Sequence, residues 1–217
     1  DGNVIKSVKN IIDGDMDRRF IIVSAPGKRY SGDIKVTDLL YDSYNALVSG
    51  GDFKKAFAAV KARYVSIVKE LNLNFDINSV LEETEERIIK ERSEDFTASR
   101  GEYLCARIVA GVLNAKFIDA ENVIFFDENG ALNGEKSYKA VAEAVKDAPR
   151  AVFPGFYGRG ADGKVKTFSR GGSDISGAIV ARAVHASMYE NWTDVSGFLA
   201  CDPRIVDSPK RIKTISY

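Results

Sequence analysis

The sequence predicts an α/β fold built on a largely parallel sheet with helices on both faces, and three observations carry that prediction. Short apolar runs, Arg19 to Ser24 rich in β-branched residues and Ala151 to Phe156 ending at a glycine, read as strands. Long amphipathic segments lie between them. Strand-like and helix-like stretches alternate along the chain instead of segregating, which favours parallel pairing through helical crossovers.

Val4, Ile5, Val8, Ile11 and Ile12 share one helical face, so a first helix is expected over Asn3 to Ile12, stopped at Asp13-Gly14-Asp15. The run Arg19 to Ser24 follows as a central strand closed by Ala25-Pro26-Gly27. A polar loop through Lys28, Arg29 and Asp33 leads to a helix starting near Thr37; Lys28 and Arg29 read as surface charges. Phe53 to Leu71 and Val80 to Lys90 are amphipathic helices with solvated outer faces. Arg92 to Asn114 reads as a helix whose small residues, Gly101 among them, permit close packing. Within it Glu102 is either surface-exposed or buried with a cationic partner, and periodicity leaves both open.

Phe117-Ile118 and Val123 to Phe126 read as short strands, and Ser137 to Val145 as a helix. Ala161 to Lys164 is a hairpin turn into Val165 to Phe168. The run Thr167 to Asp174 (TFSRGGSD) then reads as a ligand loop ahead of a helix marked by Ala178, Ile179, Val184 and Met188. Free amides at that helix start attract anions. Gly171 and Gly172 allow close backbone approach or positive φ, Ser173 or Asp174 serves as N-cap, and Arg170 offers a fork for a carboxylate. Ser187 to Trp192 reads as a last strand, with Trp192 in the core. His185, at mid-helix, reads as structural.

Composition narrows the function. At 217 residues and 45% hydrophobic, the chain can bury a substantial core, and 31 basic residues balance 31 acidic ones, so no charge excess points to a nucleic-acid partner. No apolar stretch approaches the roughly 20 residues of a membrane span, and the charged first residues do not form a signal-peptide core, which gives a cytoplasmic reading. Cys105 and Cys201, without CxxC spacing and with a single histidine in the chain, read as buried, reduced hydrophobes and not as metal ligands. Neither GxxxxGK[ST] nor GxGxxG occurs. The loops after the strands, at Ser24 to Gly27, Phe156 to Gly158 and Thr193 to Gly197, converge with the Arg170 loop on the carboxyl edge where such sheets bind ligands.

Val23-Ser24-Ala25-Pro26-Gly27, Lys35 to Leu40 (KVTDLL), Gly101-Glu102, Pro154-Gly155-Phe156, Ser169 to Asp174 (SRGGSD) and Trp192 to Val195 (WTDV) through Asp202-Pro203-Arg204 together resemble the aspartate kinases of the amino acid kinase family in order and spacing. The resemblance implies a three-layer αβα sandwich with a mainly parallel central sheet, carbamate kinase-like and truncated at both ends. It also implies transfer of the ATP γ-phosphoryl group to the side-chain carboxylate of L-aspartate. Thr37, Glu102 and Arg170 would hold aspartate, Arg170 its α-carboxylate and Glu102 its α-amino group, with Ser173, Ser24 and Phe156 along the wall. Asp174 would orient the catalytic groups together with Arg170. Thr193 and Asp194 would hold the nucleoside, and Arg204, Gly171 and Gly172 the phosphates, with Mg²⁺ carried on ATP.

The family's Lys-Phe-Gly-Gly segment would precede Asp1, and its second phosphate lysine and ACT domains would follow Tyr217. The expectation is therefore a catalytic-domain fragment, inactive by itself, comprising an amino-acid lobe over about 1–150 and the start of a nucleotide lobe over about 151–217, from a protein that is a homo-oligomer at full length. Two alternatives stand beside it: a same-fold kinase with another acceptor, or a non-catalytic ligand-binding sensor domain.

Overall fold

A computed structural model describes residues 1–169 and 171–193, together with 197, 199–202, 205–212 and 214. The chain divides into two compact units, Asp1–Ser187 and Met188–Tyr217.

The first unit contains α1 (Gly2–Asp13), β1 (Phe20–Val23), α2 (Val36–Val48), α3 (Phe53–Leu71), α4 (Ile77–Glu91) and α5 (Glu94–Leu113). After these come β2 (Lys116–Phe117), a 3₁₀ turn at Ala120–Asn122, α6 (Gly134–Val145), β3 (Ala151–Pro154), β4 (Tyr157–Arg159), β5 (Val165–Thr167) and α7 (Gly172–Ala183). Local chemistry fixes the helix ends. Asp52, Asp76 and Ser93 cap α3, α4 and α5 by accepting from the amides of Lys55, Ser79 and Phe96. Asn72, Arg92 and Asn114 end those helices in the left-handed conformation.

The central sheet is parallel in the order β1-β3-β2, with Phe20 to Val23 opposite Ala151 to Pro154, and Lys116-Phe117 opposite Ala151-Val152. Every residue of β3 is buried, as expected of a strand covered on both faces. α5 packs on β3 and β1 and α7 on β1 and α6, so helices layer the sheet. α5 is the central helix, buried at nearly every position from Phe96 to Ala110. Its Arg100, 1% exposed, lies against the rings of Phe96, Tyr103 and Tyr157 at 4.2–5.1 Å and donates to Ser99 Oγ and the Phe96 carbonyl. That cage ties the start of β4 to α5.

The expected hairpin is present. β4 and β5 pair antiparallel around Gly160 to Lys164, with Gly163 at φ 80°. Several expectations are corrected. Val123 to Phe126 is no strand: the amides of Val123 and Ile124 both bond to the Ala120 carbonyl, and Phe125 and Phe126 make only single bridges, to Arg159 and Leu132. Phe156 to Gly158 is not a loop but turns directly into β4. α7 ends at Ala183, so His185 lies beyond it, exposed and at φ 51°, and Met188 lies outside the helix.

Ser187, the last residue of the first unit, and Met188 to Trp192 in the second carry no strand, and Met188, Tyr189 and Trp192 are exposed. Trp192 is therefore not in the core; its Nε1–H donates to Glu190 Oε2 at 2.9 Å. Aromatic and apolar content alone suggested a strand there, but a ladder also requires an adjacent edge at the right register. Cys201 is exposed, unlike Cys105, because it lies in a turn-rich stretch where the amides of Ile205 and Val206 bond back to Asp202.

Candidate active site

β1 and β3 run side by side and finish together, and the Gly155 amide donates to the Val23 carbonyl at 2.9 Å as the last link between them. Beyond this edge Ser24 is exposed and Ala25 turns onto α5. The contact is tight: a Cβ at Gly101 would lie 2.8 Å from the Ala25 Cβ. Only glycine permits that approach, and it brings the Ala25 amide to 3.1 Å from Glu102 Oε1. Tyr64, fully buried on α3, donates its hydroxyl to the Gly101 carbonyl at 2.6 Å and fixes the same turn of α5.

Glu102 is 6% exposed, and its second oxygen, Oε2, is buried with no hydrogen-bond partner among the described residues. Burial pushes its carboxyl up to about 7, opposed by the Ala25 amide, its own amide and the Arg100 charge. Sequence reasoning left Glu102 either exposed or buried with a cationic partner. It is buried, and it makes no ion pair among the described residues. A buried carboxylate oxygen without a donor is costly, and a cationic ligand would offset that cost.

Thr37 sits in the first turn of α2, half-buried, next to Val36, whose side chain lies 3.6 Å from where a Gly101 Cβ would be. The α2 start has no side-chain cap. The opposite wall is the junction of β3 with α7. A Cβ on Gly155 would lie 2.7–2.8 Å from Ser173, and one on Gly172 would lie 2.7–2.8 Å from Phe156, so the two glycines let strand end and helix start interlock. Phe156 itself holds φ 80°, with its amide donating to Ser176 Oγ and its carbonyl accepting from Phe168. A bulky residue in that region carries about 1–3 kcal/mol of strain.

The N-cap of α7 is Gly171 at φ 57°, with no side-chain cap bond. This corrects the expectation of a Ser173 or Asp174 cap. Glycine takes the left-handed conformation at little cost, which leaves the first-turn amides of Gly172 and Ser173 without a side-chain cap. Those amides fit the phosphates of a nucleotide.

The fold thus gathers Ser24, Thr37, Glu102, Phe156, Gly172 and Ser173 around the carboxyl edge of β1 and β3, with Gly171 and Asp174 at the start of α7. Arg170, Asp194 and Arg204 lie outside the described residues, and Thr193 belongs to the second unit. Sequence reasoning missed the Ala25 amide, the Tyr64 hydroxyl and the bond from Thr167 Oγ1 to Asp95 that ties β5 to α5. Ala25 alone had a signal, in the small residues that close β1. Among the described residues no helix is long and apolar enough to cross a membrane.

The model of the amino acid kinase family matches residues 1–217. The chain belongs to the amino acid kinase family. It is similar to Aspartokinase 3 of Bacillus subtilis, 33% identical over 100% of this chain and 51% of that protein. Lysine-sensitive aspartokinase 3 of Escherichia coli is 28% identical over 96% of this chain and 49% of its own length. Among solved structures, the aspartate kinase of Clostridium acetobutylicum superposes with a TM-score of 0.91 at 52% identity, covering 97% of this chain and 48% of that one. The E. coli aspartokinase III crystallised with aspartate and ADP shares the fold, with a TM-score of 0.81 at 24% identity. The chain therefore spans about half the length of the relatives it matches. Within this amino acid kinase, the parallel sheet and its covering helices are the family's α/β fold.

Proposed function

We propose that the chain is the substrate-binding part of an aspartate kinase, which transfers the γ-phosphoryl group of ATP to the side-chain carboxylate of L-aspartate and gives 4-phospho-L-aspartate. The observation that carries this reading is Glu102 Oε2, a buried oxygen at the sheet's carboxyl edge with no donor among the described residues. An α-ammonium group would supply that donor. The kinship with aspartokinases supports the choice of amino acid.

In this reading Glu102 holds the α-amino group, Thr37 and Ser173 bond the substrate, and Ser24 and Phe156 shape the wall. Arg170 pairs with the α-carboxylate and, with Asp174, orients the reacting groups. The open first turn of α7, with Gly171 and Gly172, holds phosphate oxygens, while Thr193, Asp194 and Arg204 hold the remainder of the nucleotide. ATP supplies the phosphoryl group: a carboxylate oxygen of aspartate bonds to the γ-phosphorus as the bond to the β,γ-bridging oxygen breaks and ADP leaves. Mg²⁺ would arrive on the ATP phosphates. The substrate carboxylate is already ionised at neutral pH, so this chain's task is positioning and charge neutralisation, not proton abstraction. The product would feed lysine, threonine and methionine biosynthesis in the cytoplasm, and the full-length protein would be a homo-oligomer with residues about 1–150 as its amino-acid lobe.

The test is formation of aspartyl phosphate, trapped with hydroxylamine, by the full-length protein with Mg-ATP. Turnover should require L-aspartate, and Arg170→Ala should raise the KM for aspartate by at least tenfold, the loss of about 1.4 kcal/mol or more of binding. Turnover of another acceptor in place of aspartate would overturn the reading.

A further inference from the structure

The stretch between β1 and α2, residues 24–35, carries two of the groups assigned to the substrate site, the Ala25 amide just after β1 and Thr37 just beyond its far end. Its exposed middle, Gly27 to Gly32, has no strand or helix of its own. Such a segment retains many conformations unless something outside it selects one.

Arg63 does this. It projects from α3, is 4% exposed, and spends its guanidinium on both stems of the loop. Nη1 donates to the Gly27 carbonyl at 3.1 Å, and Nη2 donates to the Ile34 carbonyl at 3.1 Å and to Asp33 Oδ2 at 2.8 Å. Asp33, 7% exposed, is gripped a second time by Arg29 from within the loop, through Nε at 2.8 Å, Nη2 at 3.0 Å and the amide at 3.0 Å. Both Asp33 oxygens are therefore occupied. Arg29 is exposed, as the sequence suggested, and it is also a strut through its bonds to Asp33. The two carbonyls held by Arg63 stand two residues after Ala25 and three before Thr37. Between those points the Val36 amide also reaches the Pro26 carbonyl at 3.4 Å.

We infer that Arg63, with Asp33 and Arg29, is a positioning cluster for the substrate site: it sets the separation of the two loop stems and so aims the Ala25 amide at Glu102 and Thr37 at the same ligand. The inference rests on the aspartate-site reading given above. A buried ion pair is weak support for stability by itself, since desolvation cancels much of the attraction. Its geometric effect is different: the planar fork of arginine fixes several acceptors at once, which the point charge of lysine cannot. The cluster therefore acts on how tightly aspartate is held, while the nucleotide side at α7 does not depend on it.

The experiment compares wild-type full-length protein with Arg63→Lys, Asp33→Asn and Arg29→Gln, reading the KM for L-aspartate, the KM for ATP, kcat and the thermal midpoint. Arg63→Lys and Asp33→Asn should raise the aspartate KM about tenfold, and Arg29→Gln about threefold, with kcat and the ATP KM within about twofold of wild type. Arg29→Gln alters an exposed end of the cluster and keeps the comparison open if the buried variants do not fold. An unchanged aspartate KM with a lowered thermal midpoint overturns the inference and leaves a purely structural cluster. A parallel rise of both KM values overturns it as well. If the wild type itself shows no aspartate-dependent turnover, the functional reading falls, and the inference falls with it; normal wild-type turnover beside unaffected variants removes the inference alone.

Discussion

Asp33 and Glu102 are both buried carboxylates near the carboxyl end of β1, yet the fold treats them in opposite ways. Asp33 receives donors on both oxygens, and the Arg29 guanidinium, then the Arg29 amide and the Arg63 charge, hold its carboxyl far below the usual range. Glu102 receives the Ala25 amide on one oxygen and no donor among the described residues on the other, and burial raises its carboxyl to about 7. The first arrangement is complete without a ligand. In the proposed function a ligand completes the second, and that difference would separate a structural acid from a binding acid better than exposure does, since both are buried.

The largest effect that would sharpen this contrast comes from Glu102→Gln. The amide keeps the shape but cannot pair with an ammonium group, and kcat/KM for aspartate should fall by about 2–5 kcal/mol, the usual loss when one partner of a buried charge pair is removed. The same variant should stabilise the ligand-free protein at pH 8 by up to about 3 kcal/mol, the linkage equivalent of a shift from 4.5 to about 7, read by urea unfolding. A variant that loses activity and stability together would make Glu102 a structural acid like Asp33.

pH separates the two acids next. Because the folded Glu102 is raised, its ionisation penalty is fully present above about pH 7 and fades as pH falls from about 7 to 4.5. Below about pH 7 a proton competes with the substrate ammonium, so the aspartate KM should rise, approaching tenfold per pH unit. Asp33 is depressed in the folded state, so its contribution is fully present above the ordinary carboxylate value of about 4 and is lost only as pH falls further. Steady-state profiles between pH 5 and 8, set beside acid unfolding below pH 4, should show two distinct windows. A single shared window would break the comparison.

The smallest effect provides the reference. Glu91 pairs with Arg87 at 2.7 Å on the partly exposed face of α4, one turn apart. Glu91→Gln should alter stability by less than about 1 kcal/mol in a urea titration and leave turnover unchanged, because solvent screens such a pair.

Much of this fold was legible in the residues. The bounds of α3 follow from its apolar period, and β1 and β3 from short apolar runs ended by Pro and Gly. The glycine pair ahead of α7 signalled the left-handed start of that helix at Gly171. What was not legible depended on neighbours distant in sequence. Val123 to Phe126 has strand composition, yet the amides of Val123 and Ile124 are taken by Ala120, that of Phe125 by Ser137 Oγ, and a turn at Asp127 to Gly130 follows. Ser187 to Trp192 has the same composition and forms no strand. Arg29 looked like a surface charge because nothing in the local sequence shows that Arg63, on another helix, would make Asp33 a shared acceptor.

By itself the sequence determined periodicity and the order of motifs, because helix and strand preferences act over a few residues. Only the tertiary structure decided the fate of Glu102. Its burial is set by Gly101, which admits Ala25 from β1, and by Tyr64, which pins that turn of α5 from α3. The ionisation of a carboxyl depends on every group within a few ångströms, whatever their distance along the chain, and that set exists only once the chain has folded.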